Sequence, residues 1–225
     1  RQPKLIFPMD KYRTLINNTI AFVKETLKDA EGGHDWFHIE RVWKNTCTIA
    51  ASEPCNKLVA ELGALLHDIA DAKFHDGDEE IGPAMARAFL TSQHVDEAVI
   101  QQAEMIIRHV SFGGGNTRAT FRSPELSVVQ DADRLDAMGA IGIARAFHYG
   151  GHKNRQLYNP GIPPDMTMNK EKYRKSDAPT LNHFYEKLLL LKERMNTETG
   201  RRMASRRHEF MQTFLVEFLT EWEGG

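Results

Sequence analysis

The stretch LVAELGALLHDIADAKFHDGD, residues 58–78, limits what this chain can become more than any other part of it. Leu58, Leu62, Leu65, Leu66 and Ile69 recur at helical spacing and predict a helix from Leu58 to about Ala70. The opposite face carries Ala60, Gly63, Ala64, His67 and Asp71. The first three are small, which suits close contact with another helix. A helix apolar on one side and small on the other is expected to be buried all round. Its end then places His67, Asp68 and Asp71 inside, and buried charge needs a partner or a metal ion. Adjacent helical residues lie about 100° apart, so His67 and Asp68 reach one ion only from its two sides. The plainer reading is an imidazole and a carboxylate satisfied by backbone near a helix end. A His-Asp pair alone does not choose between the two.

The rest of the chain predicts helices and no strands. Leu15, Ile16, Ile20, Val23 and Leu27 make an amphipathic helix from Asp10 to about Lys28, broken at Glu31-Gly32-Gly33. In HDWFHIERVWKNTCTIAAS, Trp36, Ile39, Trp43, Thr46 and Ala50 form one stripe and His38, Arg41 and Asn45 another. That polar stripe is either a solvated face or the lining of a pocket. Helices follow at about Asp78–Thr91 and Val95–His109, then the loop SFGGGNTRATFRS. Ser123-Pro124-Glu125 reads as a cap, a first-turn proline and a favourable acid opening a helix through LSVVQDADRLDAM. Gly139 and Gly142 loosen the chain before Ile143–Phe147, and Tyr149 to about Thr167 reads as a long irregular loop. Two more helices are expected, about Pro179–Asn196 and Thr199–Trp222. The second carries Arg201, Arg202, Arg206 and Arg207, read as a solvated face. The expected class is all-α, a single helical domain over residues 9–225, with residues 1–8 an extension before Met9.

Bulk properties narrow the function. A chain of 225 residues with 29 basic and 31 acidic side chains is neither a nucleic-acid binder nor an anionic-membrane binder by charge. The run Leu188–Leu191 is far too short to span a bilayer. No signal peptide is evident, and two cysteines without a CxxC spacing, Cys47 and Cys55, suit a reducing cytoplasm.

His38, the His67-Asp68 pair and Asp133 in DADRLD supply two imidazoles and two carboxylates. Such a set suits Mn2+, Fe2+, Mg2+, Ni2+ or Zn2+ and leaves positions for water and substrate oxygens. The stretches GHDWFHIERV, LLHDIAD and QDADRLDAMGAIGIAR, in this order, resemble the HD-domain metal-dependent phosphohydrolase superfamily. The likeness points to its small stand-alone group, some members of which cut nucleoside triphosphates to monophosphate and pyrophosphate. It implies an HD-type helical bundle with His38, His67, Asp68 and Asp133 as metal ligands. The resemblance, not the periodicity, selects Asp133 over Asp131 and Asp136, which are expected to cap or ion-pair.

Phosphoanhydride hydrolysis needs an activated water and cations for the phosphates. Asp71, one turn after His67, either orients or deprotonates that water or holds His67 in place. The family often has Glu here, so the shorter Asp leaves the reach in question. Lys73, Arg145, Arg41 and His109 are the candidate phosphate ligands, each with a surface or ion-pair alternative. His34 is expected to cap or pack at its helix start, and His75, in a polar loop, to be exposed and open to phosphate contact. The expected substrate is a nucleotide, the activator of first choice manganese, and the protein a monomer or homodimer. A nucleotide monophosphatase or another HD phosphodiesterase is the alternative. A di-iron oxygenase on the same fold would recruit His94 and His109, and a third reading is a nucleotide-binding module without turnover.

Overall fold

The computed structural model describes residues 9–28, 35–70, 80–110, 121–167 and 176–225. The expectations for residues 1–8, His34, Asp71, Lys73, His75 and most of the SFGGGNTRATFRS segment lie outside the described residues. Every regular element among the described residues is helical. Two compact units emerge, one from the described residues up to Val110 with 121–129, the other from Gln130 onward.

The first unit is built on α3 (Lys57–Leu66), against which α1 (Met9–Thr26), α2 (Trp36–Ala50) and α5 (Glu97–Val110) pack, with α4 (Ile81–Ser92) paired to α5. From Leu58 to Leu66 every α3 residue except Glu61 is buried. The small face does what its composition predicts: a methyl group at Gly63 would stand 2.8 Å from Ile106 Cγ2 on α5. Only glycine permits that approach. Glu61, half-buried, ties three helices together, accepting from Tyr12 on α1 and, at 2.8 Å, from the Trp43 indole on α2. Asn56 caps α3 and its backbone N–H donates to Glu125 at 2.7 Å.

Helix α3 is shorter than its apolar periodicity predicts. It closes at Leu66 with His67 as its C-cap, and Asp68 stands in the following turn. Ile69 keeps the pattern because it is buried from that turn. Periodicity reports burial, and burial continued past the last helical hydrogen bond.

Helix α6 (Pro124–Asp136) starts as expected, with Ser123 Oγ accepting from Leu126 N at 3.0 Å. In the second unit, α7 (Gly139–His152) is a full helix where two glycines suggested a loosened segment. Gly139 adopts φ +69°, which breaks the chain from α6, and a Cβ at Gly142 would strike the Ala137 carbonyl at 2.3 Å. These glycines permit a tight turn between helices. The irregular segment accordingly begins at Lys153, after α7, and not at Tyr149. The expected helix over Pro179–Asn196 is divided into α8 (Asn182–Glu186) and a 3-10 turn, Leu188–Arg194, that buries Leu188 and Leu191. Helix α9 (Glu198–Trp222) packs on α7 and that turn. Phe147, Phe184 and Phe214 form its aromatic core, with centroids 5.9 Å apart. Arg207 departs from the solvated face expected of it: half-buried, it donates to the Leu135 carbonyl at the end of α6.

Candidate metal centre

Two local devices present the histidines. Asp35 caps α2, accepting from the backbone N–H of His38 at 3.0 Å, which fixes His38 in the first helical turn. The His38 side chain is 3% exposed. His67 sits at the other kind of helix end, where α3 leaves carbonyls without intrahelical partners. Its Nδ1 lies 2.8 Å from the Ala64 carbonyl. A carbonyl only accepts, so Nδ1 carries the proton and Nε2 is the nitrogen able to offer a lone pair. This is the hydrogen bond that orients metal-binding histidines. The two rings lie 5.4 Å apart between centroids, with planes at 67°.

Asp133 comes from α6, about one turn beyond Val129. Two imidazoles and a carboxylate are donor types that fit a borderline or hard divalent cation. Asp68 is half-buried in the turn after His67 and has contacts of its own. His94 stands exposed after α4 at φ 54°.

The other candidates are placed as follows. Arg41 is half-buried on α2, one turn after His38, and holds contacts of its own. His109, near the end of α5, stacks on Phe121 at 5.7 Å. Arg145 on α7 pairs with the buried carboxylate of Asp136, so part of its charge is already compensated. Asp136 therefore ion-pairs and Asp131 caps, as expected of both. Asp131 is fully buried against the start of α9, accepting from Thr197 N at 2.7 Å and Thr197 Oγ1 at 2.8 Å. No short-range signal marks that long-range pairing; only the unpaired N-terminus of α9 hints that an acid is needed there. Burial, then Glu61, pushes the Cys47 thiol up to about 12, which disfavours the thiolate.

The family model of the HD domain matches residues 36–138, the segment that carries His38, His67, Asp68 and Asp133. YpgQ of Bacillus subtilis is 33% identical over 204 residues, 87% of each chain. An HD-superfamily hydrolase from Bacillus thuringiensis superposes with a TM-score of 0.77 at 41% identity, covering 95% of this chain and all of that one. The structure of Bacillus subtilis YpgQ in complex with ADP superposes at 0.76 with 31% identity, covering 94% of this chain and 96% of its own.

Proposed function

This chain belongs to the HD superfamily of hydrolases, and we propose that it is a divalent-metal-dependent phosphohydrolase cutting nucleoside triphosphates to monophosphate and pyrophosphate. The observation that carries the reading is the pair of imidazoles in the first unit, His38 and His67, 5.4 Å apart between ring centroids, with His67 tied through Nδ1 to the Ala64 carbonyl. The ADP held by Bacillus subtilis YpgQ supports a nucleotide as the substrate class. His38, His67, Asp68 and Asp133 are the proposed metal ligands, with Mn2+ the first activator to try. When bound, such an ion supplies Lewis acidity to a phosphoryl oxygen and to a water.

The protein's own groups do the rest. The Ala64 carbonyl holds the His67 tautomer, and burial of His38 excludes bulk water from its ring. Asp71 is the proposed acceptor of the water's proton. Lys73, Arg41, Arg145 and His109 are the proposed partners of phosphate oxygens. For Arg145 this means sharing its guanidinium between Asp136 and the ligand. No described helix is long and apolar enough to cross a membrane.

The test is a nucleotide panel assayed with Mn2+, Mg2+, Fe2+, Ni2+ and Zn2+, with phosphate and pyrophosphate release measured separately. Pyrophosphate release that disappears on chelation and in His38→Ala is the expected result. Full activity after exhaustive chelation, with metal absence confirmed by elemental analysis, overturns the metal reading. Release of phosphate from monophosphates alone moves the protein to the nucleotidase alternative.

A further inference from the structure

Helix α6 carries three acids within six residues, and each has a different task. Asp133 is the proposed metal ligand, Asp136 meets Arg145, and Asp131 is 0% exposed among donors only. Its carboxylate accepts from Asn196 N at 2.8 Å, Thr197 N at 2.7 Å, Thr197 Oγ1 at 2.8 Å and Asn196 Nδ2 at 3.1 Å. Arg134 adds a contact at 3.2 Å. Thr197 is itself the cap of α9, accepting from Gly200 N at 2.9 Å. A Cβ at Gly200 would lie 2.4 Å from Asp131 Oδ2, so the helix start is shaped around the carboxylate. An acceptor-only group at the positive end of a 25-residue helix is strongly held.

We propose that Asp131 is a positioning residue for the metal ligand Asp133. The inference rests on the metal reading given above. Residues two apart on a helix point about 200° from one another, so Asp131 anchors one side of α6 while Asp133 points to the other. A carboxylate oxygen stands about 5 Å from the helix axis, so a rotation of about 5° moves it roughly 0.4 Å. Metal–ligand distances tolerate about 0.2 Å. The latch at Asp131 ties this end of α6 to the start of α9 and opposes such a rotation. Two further bonds hold the same helix end, from Arg134 to the Arg194 carbonyl at 2.7 Å and from Arg207 to the Leu135 carbonyl.

The experiment measures Mn2+ affinity by titration, with the electron paramagnetic resonance signal as a second readout, on proteins confirmed folded by circular dichroism. Asp131→Asn turns an acceptor oxygen into a donor facing other donors, and Thr197→Val removes a single hydroxyl from the latch. Leu215→Ala, a buried α9 position away from it, controls for destabilisation. The expected result is a loss of about tenfold or more in Mn2+ affinity for Asp131→Asn, and a smaller loss for Thr197→Val. Leu215→Ala should bind as wild type does. Should Asp131→Asn fail to fold, Thr197→Val decides. Affinities within twofold of wild type overturn the inference, as does an equal loss in Leu215→Ala. A wild type that binds no divalent ion overturns the metal reading itself.

Discussion

The contact between Gly63 and Ile106 yields a prediction in which one substitution changes sign with its background. In Gly63→Ala the new methyl would lie 2.8 Å from Ile106 Cγ2 and 2.9 Å from Cδ1. Carbon atoms prefer about 3.5–4.0 Å, so α3 and α5 must separate or Ile106 must leave its rotamer. Overpacking of this kind costs about 1–3 kcal/mol, offset by about 1 kcal/mol from replacing glycine inside a helix. The net loss in the wild-type background is about 0–2 kcal/mol. Ile106→Ala alone, at a site with 0% exposure, costs about 2–5 kcal/mol. In that background the two nearest clashing atoms are gone, and the Cβ that stays at 3.3 Å has only a few tenths of an ångström to give as it moves into vacated space. There it stabilises, by about 1 kcal/mol from helix propensity alone. The coupling between the two sites is therefore about 1–3 kcal/mol. Urea melts of the four proteins, followed by circular dichroism and by tryptophan fluorescence, measure it. Additivity within about 0.5 kcal/mol, or destabilisation by Gly63→Ala in both backgrounds, refutes the close-approach argument.

Asp68→Ala should melt near wild type without metal, while only wild type gains about 2.7 kcal/mol when Mn2+ is present at a hundred times its Kd. A metal-free Asp68→Ala protein that is unfolded, or one stabilised equally by Mn2+, makes Asp68 a structural residue. For pH, burial and then Lys187 and Arg155 lower His183 from 6.5 to about 3. Between those values the unfolded chain holds a proton the folded one lacks, so stability falls as pH falls, by up to about 1.4 kcal/mol per pH unit. His183→Leu should flatten that slope in melts between pH 6.5 and pH 4, and an unchanged slope refutes the assignment.

The helices themselves were legible in the chain because burial leaves a period. Leu58, Leu62, Leu65 and Leu66 marked α3, Ser123-Pro124 marked the start of α6, and the small face of α3 announced its contact before α5 was in view. The family was legible too, since the stretches around His38, His67 and Asp133 lie in the segment that the HD domain model matches. Two kinds of information had no local signature. Helix ends depend on which hydrogen bond is made last, so the closure of α3 at Leu66 and the division of residues 182–194 were hidden behind continuous apolar patterns. The roles of the acids on α6 depend on distant donors. Thr197 and Arg145 meet Asp131 and Asp136 only once the chain has folded. A carboxylate looks the same in sequence whether it caps a helix, neutralises an arginine or faces a metal. Its partner decides, and the partner is a property of tertiary structure.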